Sequence, residues 1–401
     1  MNRYEQLVFG FLILSITQLA WSYDDDDSLN EPDFRPEFFI DIKAYEFRKS
    51  VEEEWQATRN GWRMAGGSLS TNLASIDSEL RLQKDLSDRF AIRLQHEHVA
   101  YYDTKPMQHP LLEMAYRPMS GRLEFSLLGT AFYDKRQSDL GYAATYGNRQ
   151  GDYVRVSWLS VDHYYNEKNF VDDGYFTNKP ETLALQAAYR LDKWQARLAA
   201  AQDSELVRVI PSASETFQHQ GDSLELVLDY HYRPQELVGV TYRGWVIDKG
   251  LADATSNREQ SLSHDMLDIY WLRPWRWADE LTLGVRLDQF DNQLRNLNNA
   301  NLSYDYSFDT LQAYAMVQRD YSEHASWGMG VYVGKVREHK DFLLDATDNE
   351  AVDDVQGELR LSWEYHSPDK RDRFTAHLTL NLDDLADDPG DGGGLSYQGR
   401  F

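Results

Sequence analysis

No cysteine occurs in the 401 residues, which removes disulfides from the means of stabilisation, whatever the redox compartment. Long apolar runs are missing as well. After residue 22 no segment holds eighteen consecutive apolar residues, mean hydropathy is −0.64 and hydrophobic residues make up 42%, so helical membrane spans are excluded. Positive charge is in deficit: 41 Lys and Arg stand against 66 Asp and Glu, a formal net charge of −25. Nucleic acid is a poor partner for such a chain, because its phosphates are repelled where no concentrated basic face exists. Gly392–Gly394 follows an acidic stretch and leads into an extended segment, so it is no phosphate-cradling loop before a helix. Ser261, Ser263, His264 and Asp265, or Asp162 with His163, come nearest to a catalytic constellation, and neither set has a diagnostic spacing. No enzyme activity is expected. His96 and His98 share a strand parity but have no third ligand in the pattern, and no metal or cofactor is expected either.

What the chain does have is alternation. Leu224, Leu226, Leu228, Tyr230 and Tyr232 interleave with Glu225, Val227, Asp229 and His231, an apolar face backing a mainly polar one. The pattern returns at Leu281–Leu287 and at Phe374–Leu382. Side chains at period two belong to strands that meet an apolar medium on one side only. Connections between them alternate in length. Stretches such as Leu191–Lys193, Tyr232–Glu236, Arg273–Glu280, Tyr321–Ala325 and His366–Asp372 read as tight hairpins. Between them come longer polar stretches, among them Val51–Gly67, Asn166–Lys179, Gln202–Gln220, Asp248–His264, Asn292–Ser303 and Arg337–Asp354. Acid clusters at Asp24–Asp27, Asp345–Asp354 and Asp383–Asp391 fall where solvated loops are expected.

The two ends add context. Arg3, the apolar stretch Leu7–Ile16 and the small residues Ala20 and Ser22 read as a secretory leader over residues 1–22, cleaved on export. Residues 23–35 read as a short periplasmic lead-in. At the other end Leu395, Tyr397, Gly399 and Phe401 share one strand side while Ser396, Gln398 and Arg400 share the other. This ending resembles the C-terminal signature of Gram-negative outer-membrane β-barrels, of the porin-like kind, in which alternating aromatic or apolar residues closing in Phe are read as an insertion signal. The resemblance makes Tyr397 and Phe401 the assembly signal and the barrel assembly machinery a partner. It also implies short turns on the periplasmic side and long loops outside, among outer-membrane lipid and lipopolysaccharide.

The expected fold is therefore all-β: a transmembrane, antiparallel, up-and-down β-barrel over residues 36–401. Counting strands from Phe38–Ala44 to Leu395–Phe401 gives about eighteen, with sixteen the other size allowed. Barrels of that size leave an aqueous interior. If the apolar parity meets lipid, the opposite parity lines the lumen, and there it supplies Arg155, Arg190, Arg197, Arg243, Arg286 and Arg360 with Glu225, Asp229, Asp268 and Asp288. Such charges either set a field across a constriction or pair across strands and stiffen the wall. Arg155, Arg190 and Arg197 are expected on consecutive strands as a local basic stripe for anionic solutes. Tyr45, Tyr153, Trp245, Tyr270, Tyr314 and Tyr332 are candidates for stacking on sugar rings. The expected function is an outer-membrane channel for passive diffusion of small polar or charged solutes. The alternatives are an export conduit for a surface polysaccharide and a non-conducting surface barrel that binds or scaffolds.

Overall fold

Every period-two stretch named above becomes a strand, and the strands close on themselves. A computed structural model describes residues 61–69, 75–101, 107–118, 122–129, 140–147, 152–160, 175–178, 181–211, 214–253, 257–298, 303–343, 349–368, 372–383 and 390–400. The leader, the lead-in, the expected first strand Phe38–Ala44, Tyr45 and the terminal Phe401 lie outside the described residues.

In chain order the strands are β1 (Gly61–Leu69), β2 (Ser75–Asp85), β3 (Phe90–Tyr101), β4 (Met107–Tyr116), β5 (Leu123–Gly129), β6 (Leu140–Gly147) and β7 (Tyr153–Ser160). Then come β8 (Tyr175–Asn178), β9 (Glu181–Leu191), β10 (Trp194–Asp203), β11 (Leu206–Ile210), β12 (Glu215–Arg233) and β13 (Glu236–Ala252). The last are β14 (Asn257–Trp275), β15 (Ala278–Asn296), β16 (Tyr304–Ser322), β17 (Ala325–Phe342), β18 (Glu350–His366), β19 (Asp372–Asn381) and β20 (Gly390–Arg400).

All described strands belong to one sheet, and each listed neighbour pair is antiparallel. β7 pairs directly with β9 and β10 with β12, while β8 pairs with β11 in line with the β9–β10 ladder and β11 runs on along the same edge of β12, so β8–β9 and β10–β11 are each one interrupted member of the ring. Counted so, the twenty strands make eighteen ring members. They close when β1, already paired with β2, also pairs with β20 from Gly61↔Arg400 to Leu69↔Gly392. The ring matches the strand number read from the sequence, although the expected first strand is not among its described members.

The ladder register shows where the apolar medium lies. On the outer surface Val240, Ile269, Val285, Ala313 and Val333 sit side by side on β13–β17, and one step along comes Tyr242, Leu267, Leu287, Leu311 and Lys335. The next outward step is Gly244, Asp265, Gln289, Asp309, Arg337 and Asp353. The surface therefore changes from hydrocarbon-like to charged within one pleat. Ile269, Val285, Leu287, Leu311 and Val333 are each about half exposed, far more contiguous apolar surface than a water-soluble protein presents. At the hairpin end the belt finishes in aromatics: Trp271 Nε1 donates to Tyr232 OH at 2.6 Å and Trp363 Nε1 to Tyr321 OH at 2.8 Å, the amphipathic anchoring found at a membrane interface.

The strands are longer than the belt requires. β14, β15 and β16 each have 19 residues, which at about 3.3 Å per residue and a tilt of roughly 40° reach about 48 Å along the barrel axis, against an apolar band of about 25 Å. Stretches that read as loops are consequently strand for much of their length. Asp248–His264 becomes the far ends of β13 and β14 with only 253–256 between them, and Arg337–Asp354 becomes the far ends of β17 and β18. Past the lipid the outer face of the sheet is wet, so its apolar alternation ends while the backbone pairing continues.

Val285→Arg, at the middle of the belt, is expected to destabilise the folded barrel by about 2–4 kcal/mol, and Gln289→Arg, two pleats outward on the same face, by about 0–1 kcal/mol. Urea titrations of folding into phospholipid vesicles would show equal costs if the belt were misplaced.

Candidate functional site: the charged interior wall

Side chains opposite in parity to the belt point inward, and the register arranges the ten predicted lumen residues in four adjacent rows. Arg155 lies level with Gln186, Ala199, Glu225, Arg243, Met266 and Asp288. One row nearer the hairpin end are Arg197, Val227, Thr241, Asp268 and Arg286. The third row carries Arg190, Gln195, Asp229, Gly239, Tyr270, Gly284, Tyr314 and Tyr332, and the fourth holds Arg360 opposite Gly330.

The structure brings most of these residues into pairs. Arg286 Nη2 donates to Asp268 Oδ2 at 2.7 Å, and Tyr314 OH donates to Asp268 Oδ1 at 2.8 Å. Arg243 Nη2 reaches Glu225 Oε1 at 3.5 Å, and Tyr270 OH donates to Asp229 Oδ1 at 2.6 Å. Arg360 lies 4.2 Å from the Tyr332 ring centroid and Arg286 5.7 Å from that of Tyr314, while the two rings stack at 5.1 Å. Cation–π contacts of this kind gain from exclusion of water. The expected basic stripe is spread out. Arg155 is buried and bonded to Glu113 at 2.9 Å, Arg190 is exposed beside a hairpin and bonded to Gln195 at 3.3 Å, and Arg197 is half-buried between them. Tyr314 and Tyr332 are 7% and 3% exposed, so their faces are spent on the wall and on arginine and leave little for a sugar ring.

Two glycines make this packing feasible. A methyl group at Gly284 would overlap the ring of Tyr314, and one at Gly239 would overlap that of Tyr270. Each tyrosine lies flat across the next strand because that strand has no side chain there.

A second assembly, on β3–β7, was only partly visible in the sequence. Arg93 Nη1 donates to Glu113 at 2.7 Å and to Glu124 at 3.0 Å; Arg117 Nε donates to Glu124 at 2.8 Å; Ser126 Oγ donates to Glu113 at 2.6 Å. With Arg155 on Glu113 and Arg117 3.4 Å from Asp85, three arginines face three carboxylates, all largely buried. Glu113 and Arg117 escaped notice because β4 has few alternating apolar partners; the lone acid between Leu112 and Met114 was the available signal. The serine–histidine–acid set is split by the sheet. Ser261 Oγ donates to Asp248 and Tyr242 OH to Asp265 on the outer face, while His264 packs inside against Trp245. Further out along the inner face, Ile247, Leu262 and Phe290 form an apolar cluster with Trp245, Tyr306 and Phe308 against it, where a polar lining was expected.

A closed strand ring, an apolar belt and a charged interior define a transmembrane β-barrel of the outer-membrane type. No family model matches the sequence, and no curated protein does. Several solved structures align with most of the chain. Pseudomonas aeruginosa OccK2 (OpdF) aligns at 9% identity over 85% of this chain and 96% of that one, with a TM-score of 0.42. Pseudomonas aeruginosa OccD3 (OpdP) aligns at 12% identity over 86% and 93%, TM-score 0.39, and a bacterial polysaccharide outer membrane secretin at 9% over 86% and 99%, TM-score 0.37. Likeness at this level says nothing about what a barrel conducts or binds, and the assignment of the fold rests on the pairings described above.

Glu113→Gln leaves Arg93 and Arg155 without their shared carboxylate and is expected to destabilise the barrel by about 3–5 kcal/mol, the usual cost of breaking a buried ion pair from one side. Arg190→Ala, at the exposed hairpin, should change stability by less than about 1 kcal/mol. The same vesicle-folding titrations measure both.

Proposed function

We propose that this protein is an outer-membrane channel through which small polar or charged solutes diffuse passively. The observation that carries the reading is the eighteen-strand ring: at that circumference side chains cannot fill the interior, and water remains. In this reading residues 1–22 direct export and are removed, and the terminal strand with Tyr397 and Phe401 addresses the barrel assembly machinery. The hairpins face the periplasm, and the projecting acidic strand ends lie among the sugars and phosphates of lipopolysaccharide.

Selectivity belongs to the inward rows. Arg155, Arg190 and Arg197 stand on three successive members of the ring and carry positive charge toward the lumen against a chain of −25, so they favour anionic solutes locally. Arg243, Arg286 and Arg360, each beside a carboxylate, and Glu225, Asp229, Asp268 and Asp288 shape the field on the facing wall. A second reading, a non-conducting surface barrel, is favoured by one observation: Arg155, Arg243, Arg286, Asp268 and Asp288 are all buried among their neighbours, more than a freely wetted lining requires.

Single-channel recording in planar bilayers separates the two, with discrete current steps expected for the channel and a silent bilayer for the scaffold. In the conducting protein, replacing Arg155, Arg190 and Arg197 together with Ala is expected to shift the reversal potential under a salt gradient toward cation preference. An unchanged potential would remove these arginines from the conducting path.

A further inference from the structure

Most charged side chains of the inner wall are hydrogen-bonded to a group of opposite sign, and Asp288 is not. Its side chain is 1% exposed, yet neither carboxylate oxygen has a hydrogen-bond donor. The arginines nearest in register direct hydrogen bonds elsewhere, Arg286 to Asp268 and Arg243 to Glu225, and Arg286 acts on Asp288 through its charge alone. Directly opposite Asp288 on β16, Thr310 Oγ1 is buried and also without a hydrogen-bond partner. From β14 comes His264, its side chain 7% exposed, whose Nε2 stops 3.6 Å from Asp288 Oδ1 and bonds to nothing.

Three strands thus deliver a carboxylate, an imidazole nitrogen and a hydroxyl to one enclosed place, all unpartnered. A separation of 3.6 Å is too long for a hydrogen bond. It suits two ligands of a single metal ion, since two atoms each about 2.0–2.2 Å from a tetrahedral zinc lie roughly 3.4 Å apart. The Arg286 charge offsets part of the cost of burying Asp288, but its two oxygens still lack the directed partner that a buried carboxylate needs.

We propose that His264 and Asp288, with Thr310 beside them, form a binding site for one divalent transition-metal ion of zinc's class inside the barrel, at the level where the apolar belt ends. The donor set selects the metal class, because an imidazole nitrogen with a carboxylate suits zinc, nickel or copper, whereas calcium and magnesium take oxygen cages. The surroundings select size. Leu262 and Met266 are 0% and 2% exposed and Phe290 is buried beside them, so an ion is admitted where an organic cation is not. Among the described residues no group of three His, Cys, Asp or Glu side chains forms a metal cluster. The protein therefore supplies fewer than the four ligands of a closed structural zinc site. No spacing motif marks this site, since its members lie 24 and 22 residues apart on neighbouring strands.

The test uses the tag-free, folded protein in detergent, stripped with chelator and titrated with zinc chloride by calorimetry, with calcium chloride in parallel. About one zinc ion per chain is expected, with no comparable heat from calcium. His264→Ala and Asp288→Asn are each expected to abolish the uptake, while His231→Ala, at the hairpin end, leaves it unchanged; heat-modifiable electrophoretic migration certifies that each variant is folded. If a variant does not fold, X-ray absorption of the zinc-loaded wild type decides, with imidazole scattering expected. Absence of zinc uptake by the wild type, equal uptake by the folded variants, equal affinity for calcium, or a spectrum without imidazole would each overturn the site.

Discussion

In hydrocarbon no water is available to an unpaired backbone N–H or C=O, and each one left open costs several kcal/mol. The pairing of β1 with β20 answers this constraint: without it an eighteen-strand sheet would expose two edges to lipid. Everything else about the fold follows from making that ring. A closed sheet has an inside and an outside, successive side chains go to one or the other, and each surface then answers to its own solvent.

The outside is a record of membrane depth. Along β15 the outer residues run Leu281, Leu283, Val285 and Leu287 before Gln289 and Asp291, and the change occurs at the same register on β14 and β16. Beyond it the sheet continues as a projecting wall held by backbone hydrogen bonds and by the apolar cluster around Phe290 on its inner face, with surface ion pairs such as Lys335–Asp353 at 2.7 Å adding little. A wall of paired strands holds the acidic outer parts in fixed positions, which free loops would not.

The inside is less like an open charged ring than like a laid pavement. Tyrosines fill the gaps left by Gly239 and Gly284, arginines lie over tyrosine rings, and on β3–β7 three arginines and three carboxylates neutralise one another. This packing stiffens the wall. It also means that a charge facing the lumen by parity need not face the water in it, a distinction that bears directly on conduction and selectivity.

Alternation at 224–232, 281–287 and 374–382, together with the tight hairpins between strands, was enough to read a barrel of about eighteen strands, because side-chain parity is a local property of an extended chain. The lengths of the projecting strands were not legible, because above the lipid both faces are polar and periodicity no longer marks a strand. Nor were the partners. Arg155 meets Glu113 from 42 residues away, and His264 meets Asp288 from the next strand, through register and ring closure. By itself the sequence determined which face of the sheet each side chain takes; the tertiary structure decided which side chains meet and which of them water reaches, since register between distant strands is set by the closed hydrogen-bonded ring and by packing across it.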